Sequence, residues 1–72
     1  MSSVIAIGET HELEGFALVG VTVEITETPE TIDAAWSELD SDVGLVILSP
    51  AAAERLHSRL LERPDVLTVV MP

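Results

Sequence analysis

Within its first 25 residues the chain passes from a β-branched apolar run, Val4-Ile5-Ala6-Ile7-Gly8, through a short helical pattern into a second apolar run, Val21-Thr22-Val23-Glu24-Ile25. The joint is Gly15-Phe16-Ala17-Leu18-Val19-Gly20-Val21. Gly15 sits inside the helical pattern. Gly20 ends it, at the position where a positive φ is wanted and no Cβ is in the way. Thr10 is the expected N-cap, with Glu12 and Glu14 in the first turns, where the helix dipole favours carboxylates. Leu13, Phe16, Ala17 and Gly20 follow the i, i+3, i+4, i+7 spacing of one helix face. Strand, helix and strand joined by such short turns predict two parallel strands linked by a helical crossover.

The rest of the chain repeats that unit. Glu24 lies in the middle of the second strand, Val21 to Thr26, and a strand that tolerates a carboxylate there is expected at a sheet edge. Thr28-Pro29-Glu30 spells a cap followed by proline at the first helical position. Ile32, Ala35, Trp36 and Leu39 then form one apolar stripe. Its spacing places Trp36 in the core rather than at an interface, and the same reading applies to Phe16. Val43-Gly44-Leu45-Val46-Ile47-Leu48 is the most hydrophobic run and predicts a central strand buried on both faces. Ser49-Pro50 repeats the cap-then-proline signature. The helix it opens has Ala53, Leu56 and Leu60 inward and Arg55, Arg59 and Glu62 outward. Pro64-Asp65 breaks it, and Leu67-Thr68-Val69-Val70-Met71 predicts the last strand. The order β-α-β-α-β-α-β implies an α/β fold, a small open four-stranded parallel sheet with right-handed connections and strand order 2-1-3-4, of the receiver or flavodoxin kind. Residues 1–72 are expected to form one domain.

A chain of 72 residues has a thin core, since a domain of this size buries only about 60% of the surface its unfolded form exposes. With two aromatics, Phe16 and Trp36, that core must be aliphatic. The absence of cysteine excludes disulfides and thiolate zinc sites. A formal net charge of −10, with three arginines and no lysine, leaves almost no cations to bind nucleic acid and disfavours an anionic membrane surface for the same reason. The acidity suits a solvated surface, a basic partner, or high internal salt. No apolar stretch spans a membrane, and the N-terminus lacks a signal-peptide layout, so the expected compartment is the cytoplasm.

Ligands of such sheets sit at the carboxyl ends of the strands, near the switch in strand order. Here those ends carry Gly8-Glu9-Thr10, Thr26-Glu27-Thr28, Ser49-Pro50 and Met71-Pro72. A phosphoacceptor receiver needs an aspartate ending the third strand and an acidic pair after the first. This chain has Ile47-Leu48-Ser49 and Glu9 alone. A dinucleotide site needs a glycine-rich first turn, yet after Gly8 the next glycine is Gly15, inside the helix. The Walker pattern is absent. His11 with Glu9 and Glu12, or His57 with Glu54, lacks zinc-like spacing and reads as a polar face. Ser49, His57 and Glu54 form no hydrolase triad, because no nucleophile elbow surrounds Ser49 and its capping role already explains it. No catalytic, cofactor-binding or metal residue is expected.

The chain resembles the F subunits of the V-type/A-type ATP synthase family. The motif residues are Gly8, then Gly15, Phe16, Leu18 and Gly20, similar to the family's Gly-Phe-x-Leu-x-Gly-(Ile/Val) signature. Gly44 through Pro50 with Ala53-Glu54-Arg55-Leu56 resembles its next block, and Pro64 with Val69-Val70-Met71-Pro72 its closing strand. The resemblance implies a non-catalytic component of the rotor stalk, bound to the coiled-coil shaft (the D subunit of the complex) near the catalytic head. It implies a part in coupling ATP synthesis or hydrolysis to ion transport, hydrogen ions included. It also implies a cytoplasmic location, peripheral to a membrane-embedded complex. Members usually carry a further C-terminal segment, which would begin where this sequence ends. The expected interface is the strand-end rim, Glu9, Thr10, Ser49 and Pro50, with Val69 and Met71 of the last strand. Without the tail that strand is also a route to self-association. The competing readings are a stand-alone acidic adaptor that binds a protein partner, and a small ligand-binding domain or enzyme using the rim.

Overall fold

The computed structural model of the chain describes residues 3–13 and 21–71. Strand β1 (Ser3–Gly8) leads into helix α1 (Thr10–Leu13). Strand β2 (Thr22–Ile25), helix α2 (Pro29–Ser37), strand β3 (Val43–Leu48) and helix α3 (Pro50–Leu56) follow. A 3-10 helix (His57–Glu62) then leads to strand β4 (Leu67–Val70). The sheet has four strands in the order β2-β1-β3-β4, and every pairing is parallel. Fold class and strand order are therefore as expected. Gly15, Phe16, Leu18 and Gly20, on which the expected first helix and the opening signature rest, lie outside the described residues.

Local chemistry sets the helix starts. Thr28 caps α2: its Oγ1 accepts from the Thr31 N–H at 3.2 Å, while the Thr28 N–H donates to Thr31 Oγ1 at 3.1 Å. This is a reciprocal capping box in which threonine takes the place usually held by glutamate or glutamine. Ser49 caps α3, accepting from the Ala52 N–H at 3.1 Å. A proline fills the first position of both helices, where its missing N–H costs nothing. The third helix is expected to run regularly through Leu60, but α3 ends at Leu56 and tightens into the 3-10 helix. Three residues per turn replace 3.6 ahead of Pro64, so Leu60 is only half-buried and Leu61 is 90% exposed.

The main core lies between α2, α3 and one face of the sheet. Ile7, Val46 and Leu48 meet Ile32 and Trp36 of α2 and Ala52 and Leu56 of α3. Trp36 is buried, and its indole Nε1–H donates to Glu62 Oε1 at 3.4 Å. Ala6 and Leu13 are fully buried as well but outside that cluster. Ala6 alternates with Ile7 and so faces the other side of the sheet, where Leu13 of α1 lies against Gly8.

The two edges of the sheet differ. Edge strand β2 carries Glu24. Edge strand β4 carries no charge, and its Leu67, Val69 and Val70 are all exposed, Leu67 by 67%.

Candidate functional site

At the carboxyl ends of the strands, the chain closes on itself. Ser49, fully buried, donates from Oγ to Glu9 Oε2 at 2.7 Å while capping α3. Thr10 donates from Oγ1 to Glu27 Oε1 at 3.0 Å, tying the start of α1 to the loop after β2. Gly8 makes this closeness possible. A Cβ on Gly8 would stand 2.7 Å from Ser49 Cβ, closer than side-chain carbons approach one another. The backbone continues the ladder beyond the strands: the Thr26 N–H donates to the Gly8 carbonyl, the Ser49 N–H to Ile7 and the Met71 N–H to Leu48, at 2.8–3.0 Å.

Beside this rim lies a shallow cleft of about 270 Å³ between Glu9, Thr26, Pro29, Ile32, Ala51 and Arg55. Arg55 is engaged by Asp33 in a two-pronged ion pair, Nε to Oδ1 at 3.1 Å and Nη2 to Oδ2 at 2.7 Å. The hydrogen bond from Arg55 holds the Asp33 carboxyl below its ordinary pKa. Thr26 Oγ1 is the one buried side-chain oxygen among the described residues with no partner.

Of the residues expected at an interface, Glu9, Thr10, Ser49 and Pro50 stand together at this end. Glu9 is half-buried, Thr10 and Pro50 are exposed, and Ser49 has no exposed surface and acts through Glu9. Met71, half-buried, closes the row. Val69, 46% exposed, lies further back along β4.

The amino end of the sheet is built differently, and the strand-end rule did not point to it. Between the start of β2 and the end of α2 a cleft of about 240 Å³ opens, floored by Ile5, Ala35, Leu39 and Val43. Glu24, Glu38, Asp40 and Asp42 line it. No hydrogen bond or ion pair engages these four side chains among the described residues. The three arginines are committed elsewhere: Arg55 to Asp33, Arg59 to Glu62, Arg63 to Asp65. Arg63 also reaches the carbonyls of Leu39 and Asp40. Its hydrogen bond to Asp65 is the main cause holding that carboxyl below its ordinary pKa. The signal in the sequence was the run Glu38-Leu39-Asp40-Ser41-Asp42, legible as the end of a helix. Its meeting with Glu24 requires the β2-β1-β3 strand order.

No group of histidine, aspartate and glutamate with metal-binding geometry occurs among the described residues. No helix among them is long and apolar enough to cross a membrane. Fold and ends together define a small open parallel α/β domain whose distinctive surfaces are an uncharged apolar edge strand and an acidic cleft. The family model for the ATP synthase (F/14-kDa) subunit matches residues 4–72, and the chain belongs to that family. This makes it a component of an ATP synthase of the V/A type. No individual curated protein matches the chain.

Proposed function

We propose that this chain is the non-catalytic central-stalk component of a V/A-type ATP synthase, docking on the coiled-coil shaft protein beneath the catalytic head. There it supports the coupling of ATP synthesis or hydrolysis to ion transport, peripheral to the membrane and in the cytoplasm. The observation that carries the reading is β4. An edge strand without charge, with Leu67, Val69 and Val70 exposed, is a surface that natural monomers blunt with lysine, proline or a bulge. Its retention fits a chain whose edge is covered in an assembly.

The test is co-expression with the shaft protein of the same genome, followed by size-exclusion chromatography with light scattering. A one-to-one complex that Val69→Lys dissolves is the expected result. Persistent separation of the two chains, also with a C-terminal extension supplied, overturns the reading. Alone, the chain is expected to self-associate weakly through the same strand, and a strict monomer at high concentration argues against that.

A further inference from the structure

The cleft at the amino end of the sheet has a floor and a rim of opposite character. We propose that it is a docking site for a basic segment of a protein partner, one that places a single aliphatic side chain between flanking lysines or arginines. This surface is separate from β4, and the proposal does not depend on the shaft reading.

Size argues for a side chain rather than a cofactor. Small-molecule pockets run from about 300 to 1,000 Å³, and this cleft holds about 240 Å³. Ile5, Ala35 and Leu39 in its lining are half-buried and apolar, so a methyl-bearing group seated against them removes apolar surface from water.

Charge selects the flanks of the occupant. Glu24 comes from β2, Glu38 from the end of α2 and Asp42 from the turn before β3, so three separate segments bring carboxylates to one opening. Among the described residues none of the three is neutralised, while every arginine of the chain is already paired with another carboxylate. An aliphatic group bearing negative charge is repelled from that rim. A neutral one leaves the carboxylates uncompensated as water is displaced. Lysine or arginine on either side answers both. Because the rim carboxylates are exposed, their attraction acts over about a Debye length and weakens with salt.

The probe is a short peptide with one leucine between lysine pairs, titrated into the isotopically labelled chain and followed by amide chemical shifts. A second peptide of equal charge has serine in place of the leucine. Expected are shifts centred on Ile5, Ala35 and Leu39, with binding about tenfold weaker for the serine peptide, since burying a leucine is worth well over that factor. The triple variant Glu24→Gln, Glu38→Gln, Asp42→Asn should bind the leucine peptide about tenfold more weakly, within the range for three exposed ion pairs. An unchanged amide spectrum of the free variant, away from the substituted sites, confirms that it folds. Equal binding of the two peptides overturns the proposal. So do shifts that spread equally to Glu9, Glu27 and Glu54, which would mark the general attraction of a chain of charge −10. Failure to bind the shaft protein leaves this result untouched, so the two readings fail separately.

Discussion

The two ends of the sheet handle their carboxylates in opposite ways. At the carboxyl end Glu9 and Glu27 each accept a hydrogen bond from a hydroxyl of another segment, and Gly8 lets the backbone approach closely enough for it. At the amino end Glu24, Glu38 and Asp42 surround an apolar floor without a partner among the described residues. Open α/β sheets usually keep their ligands at the first end. Here the polar groups of that end are spent mainly on joining β1, β3 and α3, whereas the amino end has chemistry left over. Substitutions at the carboxyl end should therefore act on stability, and those at the amino end on binding.

Gly8→Ala tests the tightest point. Its Cβ would lie 2.7 Å from Ser49 Cβ, an atom fixed to the backbone, so β1 and β3 must part locally. Overpacking of this kind costs about 1–3 kcal/mol, read as a lower urea midpoint at unchanged slope. Ser49→Ala removes the cap of α3 and the donor to Glu9 together, a loss of about 1–2 kcal/mol by the same measurement.

Thr26→Val reverses the sign at the same end. The Thr26 hydroxyl is buried and has no partner among the described residues, so a methyl in its place should stabilise by about 1 kcal/mol. A destabilised Thr26→Val protein would mean that this oxygen is satisfied in solution and that the carboxyl end is closed throughout. The triple amino-end variant, with Glu24, Glu38 and Asp42 neutralised, should stay within about 0.5 kcal/mol of the parent, with any change towards greater stability as like charges are relieved. A clear loss would show that the rim holds the fold together and would erase the contrast between the ends.

The smallest effect concerns acid. Arg55 and Arg63 depress the pKa values of Asp33 and Asp65 in the folded chain. A group depressed in this way contributes stability above its unfolded pKa and loses it as the pH falls through its folded one. Asp33→Asn should remove part of that dependence and flatten the acid limb below the ordinary aspartate pKa. Because both pairs are exposed, the change should be slight.

Most of the fold was legible because local chemistry and hydrophobic period agreed. Ser49-Pro50 and Thr28-Pro29 marked two helix starts to the residue. The run Val4–Gly8 falls in β1, which adds only Ser3, and Val43–Leu48 is a strand with those bounds. Glu24 on the second strand correctly signalled an edge, and Trp36 sits in the core as its stripe required. The switch from α3 to a 3-10 helix after Leu56 was not legible, because Leu60 keeps the helical spacing and nothing local forbids another regular turn.

The sites divide along the same line. The sequence by itself determined element order, the parallel sheet, the caps of α2 and α3 and an acidic surface, since each rests on residues within a few positions of one another or on composition; Thr10, expected to cap α1, is instead its first helical residue. Only the tertiary structure decided that Gly8 is pressed against Ser49, that Ser49 serves Glu9 forty positions away, and that Glu24 meets Glu38 and Asp42 around one cleft. Those meetings depend on how β2 and β3 flank β1. That flanking follows from burying both faces of the central strands, and no single segment carries it.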